Sequence, residues 1–341
     1  MKAVVYSTTG GPEVLRLVDR AMPEPGPGEV RVQIHVSGVN PTDWKSRRGS
    51  APGQSTPFPE VVPNQDGAGV VDAVGDGVTR LRPGARVWVW EAGWQRANGT
   101  AQEFVVLPQN HVLELPDDVT LDVGASLGIP ALTAHRTLTV LEGGPDRLLP
   151  GALEGRTVLV AGGAGAVGHA TVQLARWAGA RVLTTVSGPK KGELATRAGA
   201  HHVIDYRAQD AAAVVRELAP DGLDLVVEVA PGPNAALDAA VLAPAGAISV
   251  YATNGGEELT VPIRPHMVSN TRYQFVLVYT VPAQAKEHAV EDVSAAVAAG
   301  ALGVGEKHGL PLYRYTLYGV AAAHSAVESG VTGKVLIDVL A

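Results

Sequence analysis

The sequence predicts an α/β protein in which a Val-rich β region precedes a doubly wound parallel sheet. Three observations predict it. Short Val-rich runs bounded by Gly-Pro or Pro-Gly turns fill residues 1–125. From about residue 126, apolar strands alternate with helical stretches of roughly ten residues, the βαβ rhythm of a parallel sheet. The length of 341 residues suits two domains at roughly 100–200 residues each.

In the β region the candidate strands are residues 30–36, 69–74, 85–89 and 101–106. A helical pattern over 125–141 leads through a loop at 142–155 into strands at 157–161, 181–186, 203–205, 223–229 and 247–251. Residues 274–279 read as a sixth strand, 282–299 as a helix, and 335–339 as a closing strand. This β/α tail is expected to return to the first domain. The expected organisation is 1–125, then 126–283, then 284–341 folding back onto the N-terminal part.

Composition narrows the chemistry. There are no cysteines, which removes disulfides, thiol nucleophiles, iron–sulfur clusters and thiolate zinc sites together. None of the 10 histidines lies in a His-x-x-x-His or His-Glu-x-x-His pattern, so no metal site is expected. The net charge of −7, with no block of five like charges, argues against a nucleic-acid partner. No apolar run approaches about 18 residues, so no membrane span is expected and the anticipated location is cytoplasmic. The 40 glycines and 24 prolines are scattered without period, as in a loop-rich globular enzyme.

Residues 158–179 read VLVAGGAGAVGHATVQLARWAG. Gly163, Gly165 and Gly168 form G-x-G-x-x-G directly after a buried strand and open a helix, which is the context a dinucleotide-binding Rossmann loop requires. Glycines permit the tight turn and close approach to pyrophosphate, and the helix N-terminus at Ala166, Val167 and Gly168 supplies N–H groups for the phosphates. The rival reading is a structural glycine turn. NAD-binding domains usually place an acid about 20 residues on, to hold the ribose hydroxyls. Here the segment 184–191 holds Ser187, Lys190 and Lys191 and no carboxylate. That chemistry suits a 2′-phosphate, so NADPH is the expected cofactor. The two lysines also fit a solvated helix start.

With these motifs the chain resembles the zinc-independent, quinone oxidoreductase (zeta-crystallin-like) branch of the medium-chain dehydrogenase/reductase family. The resemblance runs nearly the whole length. It is carried by the opening MKAVVY and GGPEVL, and by the run from Asn40 to Gly49 (NPTDWKSRRG). Asp66 to Val71, Pro83 to Val87, Gly128 to Ala134, the glycine loop and the closing Thr332-Gly333-Lys334-Val335 complete it. It implies a GroES-like β domain beside the Rossmann domain, and commonly a homodimer. In zinc-dependent relatives a Cys stands at the position of Asn40, and Gly-His-Glu occupies Asn64-Gln65-Asp66. Carried over by position, Gly162, Gly165 and Gly168 match the phosphate loop. Lys191 and Tyr206 fall in the 2′-phosphate region, Thr133 lies near the nicotinamide, and Asn40 and Lys45 line the substrate pocket. Asn64 replaces a usual Gly, and Lys45 stands where several quinone reductases have Tyr.

The resulting expectation is a metal-free, NADPH-dependent reductase of a quinone or of the C=C of an α,β-unsaturated carbonyl. Such acceptors already delocalise the incoming charge, so a reductase needs only orientation and a donor for the developing oxyanion. The candidate donors are Asn40 and Lys45. Asn40 is equally readable as a turn residue before Pro41, and Lys45 as a solvated loop lysine. Asp43, Asp66 and Arg48 read as structural ties. Two other functions stay open: an enoyl-thioester reductase, for which Arg47 and Arg48 are the only local basic pair, and a non-enzymatic NADPH-binding protein.

Overall fold

The computed structural model describes all residues, 1–341. The chain forms two compact units: residues 1–129 with 311–341, and residues 130–310.

The first unit opens with an antiparallel pair, β1 (Lys2–Val5) and β2 (Arg16–Asp19). The long strand β3 (Glu29–Val39) follows, then helix α1 (Pro41–Arg48), β4 (Asp66–Val74), β5 (Arg86–Val89), β6 (Phe104–Pro108) and β7 (Val112–Glu114). Along β3 burial alternates, with Val30, Val32, Ile34 and Val36 turned inward, as the two-residue period of a strand requires. Helix α1 is a departure from the all-β reading of residues 1–125. Pro41 sits at its first position, where a missing N–H costs nothing, and Asp43 accepts the Asn40 N–H at 2.7 Å. Helix α2 (Leu121–Leu138) comes next, and the division between the units falls within it.

The second unit contains β8 (Thr157–Ala161), α3 (Ala166–Trp177), β9 (Arg181–Val186), α4 (Pro189–Arg197), β10 (His202–Asp205) and α5 (Ala211–Leu218). It continues through β11 (Leu223–Glu228), α6 (Pro231–Val241), β12 (Leu242–Val250), α7 (Ile263–Ser269), β13 (Arg272–Phe275) and α8 (Ala283–Ala298). The six strands run parallel in the order β10-β9-β8-β11-β12-β13. Strands covered on both faces need unbroken apolar runs, and four of the five residues of β8 and five of the six of β9 are buried. The order reverses between β8 and β11, so the crevice beyond their C-terminal ends is where a doubly wound sheet binds its ligand.

The chain then re-enters the first unit as β14 (Leu312–Thr316), α9 (Val320–Glu328) and β15 (Lys334–Asp338). Its sheet has the order β14-β15-β3-β4-β5-β7, with β6 also on β3. β15 lies antiparallel to β3, with Val335 opposite Val39, which brings Lys334 beside the start of α1.

Candidate functional site

The loop between β8 and α3 shows what each glycine is for. Gly162 has φ +71°, a conformation that L side chains resist. A methyl group on Gly163 would stand 2.1 Å from Thr184 Oγ1, the hydroxyl that accepts the Gly163 N–H at 3.1 Å. One on Gly168 would stand 2.4 Å from the Gly162 carbonyl oxygen. Gly165 differs. Its φ of −81° and ψ of 162° are ordinary, and the nearest atom to an added methyl is 3.4 Å away. Nothing in the protein demands a glycine there, and the open space is what a close-lying pyrophosphate needs. Helix α3 makes its first long backbone bond from His169 N to Gly165 O, so the Ala166, Val167 and Gly168 amides precede it. His169 anchors the helix, its Nε2 donating to the His308 carbonyl at 2.8 Å, and burial holds it neutral with a pKa pushed down to about 4. The residues therefore fit a dinucleotide's phosphates.

At the end of β9, Lys191 Nζ donates to Ser187 Oγ at 3.0 Å. The Tyr206 backbone N–H donates to the Val186 carbonyl, and its ring is half exposed. Ser187, Lys191 and Tyr206 thus gather beyond the adjacent ends of β9 and β10. The segment 184–191 presents no carboxylate. Asp205 ends β10, and its Oδ1 accepts the Arg207 N–H of its own turn. Thr133 is buried in the second half of α2.

The crevice end of β11 carries a pair that sequence reasoning passed over. Glu228 and Asp238 are both buried, and each influences the other's ionisation. Glu228 accepts from the Ala230 N–H and from Asn234 Nδ2. Burial, and then neighbouring Glu228, pushes Asp238 up to about 9. The only signal in the sequence was an acid set inside the apolar run LVVEV.

In the first unit, the candidate Asn40 lies at the N-terminus of α1 with its amide held at both ends. Oδ1 accepts from Lys334 Nζ at 2.7 Å, and Nδ2 donates to Asp66 Oδ2 at 2.6 Å. Lys334 also reaches Asp66 Oδ2 at 3.4 Å, while Asp66 Oδ1 accepts the Ile129 N–H at 2.9 Å. Asn40, Asp43, Asp66 and Lys334 are all at most 3% exposed. Close packing demands small neighbours: a methyl on Gly128 would lie 2.0 Å from Asp66 Oδ1, and one on Gly38 would lie 2.1 Å from the Ala125 carbonyl oxygen and 3.2 Å from Lys334 Nζ. Burial, and then neighbouring Asp66, pushes Asp43 up to about 8. Burial raises Asp66 and lowers Lys334, each opposed by the other's charge.

Lys45 lies in a different environment. It is exposed, with Nζ 5.9 Å from the Trp44 ring centre. Arg47 is fully buried and paired with Glu328 at 2.7 Å, and Arg48 stacks near Trp44 at 5.5 Å.

Asn64, Gln65 and Asp66 stand where zinc-dependent relatives have Gly-His-Glu. Asn64 keeps a glycine-like backbone, φ +76°, and bridges Ser37 Oγ (2.9 Å) and His324 Nε2 (3.0 Å). Gln65 Oε1 accepts the Gly93 N–H. Oxygens of Asn40 and Asp66 already face the Lys334 ammonium, and no three His, Cys, Asp or Glu side chains are arranged as metal ligands. This donor set does not fit zinc.

Two family models match the chain: "Alcohol dehydrogenase GroES-like domain" over residues 26–117, and "Zinc-binding dehydrogenase" over residues 166–295. The quinone oxidoreductase of Rattus norvegicus is 32% identical over 261 residues, 76% of this chain and 75% of that protein. Among solved structures, a mycobacterial protein in complex with NADPH matches with a TM-score of 0.80 at 30% identity, covering 99% of this chain and all of that one. An NAD-dependent alcohol dehydrogenase matches with a TM-score of 0.85 at 28% identity, over 99% and 100% of the two chains.

Proposed function

Because the chain belongs to the quinone oxidoreductase branch of the medium-chain dehydrogenase/reductase family, we propose that it is an NADPH-dependent, zinc-free reductase of a quinone or an activated C=C. The observation that carries this reading is the space kept at Gly165 beside the amides of Ala166, Val167 and Gly168. Those amides and the helix N-terminus hold the pyrophosphate. Ser187, Lys191 and Tyr206 receive the 2′-phosphate, which an acid at that place would repel. Thr133 lies against the nicotinamide. Bound there, NADPH supplies the hydride. The chain's own task is to orient the acceptor and stabilise the oxyanion that develops on it, with Asn40 and Lys45 as the donors. Solvent supplies the final proton.

The rival enoyl-thioester reading needs a basic patch for a pantetheine phosphate. Arg47 is committed to Glu328 in the interior, which leaves Arg48 alone and favours the smaller acceptors. The same proposal includes a homodimer and a cytoplasmic location. β13 is an edge strand, and Phe275, Leu277, Ile263, Met267 and Val268 on and around it are more than half exposed. No helix is long and apolar enough to cross a membrane.

The test is oxidation of NADPH against a para-quinone, an ortho-quinone, an acyclic enone, an enoyl thioester and a simple ketone, with and without EDTA. Turnover of a quinone or the enone, unchanged by EDTA, is expected. Preference for NADH or loss of activity in EDTA overturns the cofactor or the zinc-free assignment. NADPH binding without turnover returns the non-enzymatic reading. A single monomeric boundary in sedimentation overturns the dimer.

A further inference from the structure

We infer that Lys334 is a positioning residue that fixes the Asn40 amide so that only an N–H remains for the substrate. The inference rests on the reading of Asn40 as the oxyanion donor. An Asn side chain offers one carbonyl oxygen and two N–H bonds. Here the oxygen is held by the Lys334 ammonium at 2.7 Å, and one N–H is held by Asp66 Oδ2 at 2.6 Å. A flipped amide would set its oxygen against the Asp66 carboxylate and its N–H groups against an ammonium, two repulsive contacts in a buried site. One N–H is then the only group of the amide that the protein itself does not hold, and it has the polarity a developing oxyanion requires.

Asp66 alone does not fix that orientation. It is fully buried, and Lys334 is the cation opposite its Oδ2. Without that cation Asp66 has lost the charge that opposes burial, and burial favours its protonated form. A protonated carboxyl can donate to Asn40 Oδ1 as readily as its ionised form accepts from Nδ2, so both amide orientations become satisfiable. Lys334 therefore acts twice, on Asn40 directly and on the charge of Asp66. It comes from β15 at the far end of the sequence, and Gly38 makes room for it: a methyl there would stand 3.1 Å from Lys334 Cε.

The experiment is a double-mutant cycle of Asn40→Ala and Lys334→Met, with kcat and the KM for NADPH measured for each protein, and thermal stability alongside. Lys334→Met is expected to lower kcat about tenfold or more, the scale of a misdirected oxyanion donor, with the KM for NADPH held. In the Asn40→Ala background the same change should cost no further kcat, because the amide it positions is gone. If the two losses multiply, or if Asn40→Ala lowers kcat and Lys334→Met does not, the positioning role is overturned while the reading of Asn40 stands. If Asn40→Ala leaves kcat unchanged, the donor reading itself falls and the inference with it. Should Lys334→Met fail to fold, Lys334→Arg carries the test. It keeps a charged donor and should hold kcat within about threefold of the parent, and a loss as large as that of Asn40→Ala overturns the role.

Discussion

At Gly168 a methyl group would stand 2.4 Å from the Gly162 carbonyl oxygen, a backbone atom that cannot swing away. Gly168→Ala is therefore expected to destabilise the protein by about 1–3 kcal/mol, the usual cost of overpacking, and to lower its melting temperature without any ligand present. Gly165→Ala should behave in the opposite manner. Its backbone already suits alanine and its nearest neighbour is 3.4 Å away, so the melting temperature without NADPH should hold. NADPH affinity should fall about tenfold or more, since hydrogen bonds to a charged group are worth roughly 1.5–3 kcal/mol. Calorimetric titration and thermal shift on the two variants separate these outcomes, and equal losses of stability would refute the distinction. The glycines were legible in the sequence, but their separate duties were not, because spacing does not reveal what faces each Cα. Asn64 gives the same lesson. Its replacement of a glycine was visible, whereas its tolerance of φ +76° and its bridge from Ser37 to His324 depend on residues distant in the chain.

Elements differ in how plainly they announce themselves. β8 and β9 lie where their apolar runs place them, because strands buried on both faces need such runs. α1 went unread although Asn40, Pro41 and Asp43 are helix-start residues. It has eight residues, and Trp44 is its only large apolar side chain, so no helical period forms. The sixth strand was expected over 274–279 and lies at Arg272–Phe275, because the chain turns into a single tight helical turn at Val278–Thr280. The tie between β11 and α6 was hidden for another reason: Glu228 and Asp238 meet only in the fold. Asp238 is raised to about 9, so the folded state holds a proton that the unfolded chain releases near pH 4. Its stabilising contribution is complete below that lower value and is lost as pH rises through about 9. Asp238→Asn cannot ionise and keeps the size and shape of the side chain. Its melting temperature between pH 7 and 10 should decline less than the parent's, and parallel curves would show that Asp238 does not hold a proton in the folded state.

Each of the two units buries a neutral histidine. His324 in the first donates to Asn64 and is pushed down to about 3, while His169 in the second donates to the His308 carbonyl and is pushed down to about 4. Burial is the leading cause at both, and the Arg47 guanidinium adds to it at His324. From sequence the histidines could be sorted only as unsuited to metal, because burial is a property of the assembled fold. In the unfolded chain each takes up a proton near pH 6.5, and in the folded chain neither does until the pH is far lower. Their contribution to stability is thus present above pH 6.5 and is lost as pH falls toward 4 and 3. The loss is about 1.4 kcal/mol per pH unit for each histidine across that window. Asp43 and Asp238 act in the opposite sense, since acids raised to about 8 and 9 favour the folded state at low pH. The total curve below neutrality is accordingly a balance, and a single melting profile would not expose the histidines. Substitution does. Gln can donate where each histidine donates but does not titrate, so His169→Gln and His324→Gln should each remove one proton's worth of slope between pH 6 and 4.5. The double variant should remove both, whatever the stability of the variants at neutral pH. Chemical denaturation at fixed pH steps reads those slopes directly. If the slopes match the parent's, the two histidines take up their protons in the folded state, and the acid response of the molecule lies elsewhere.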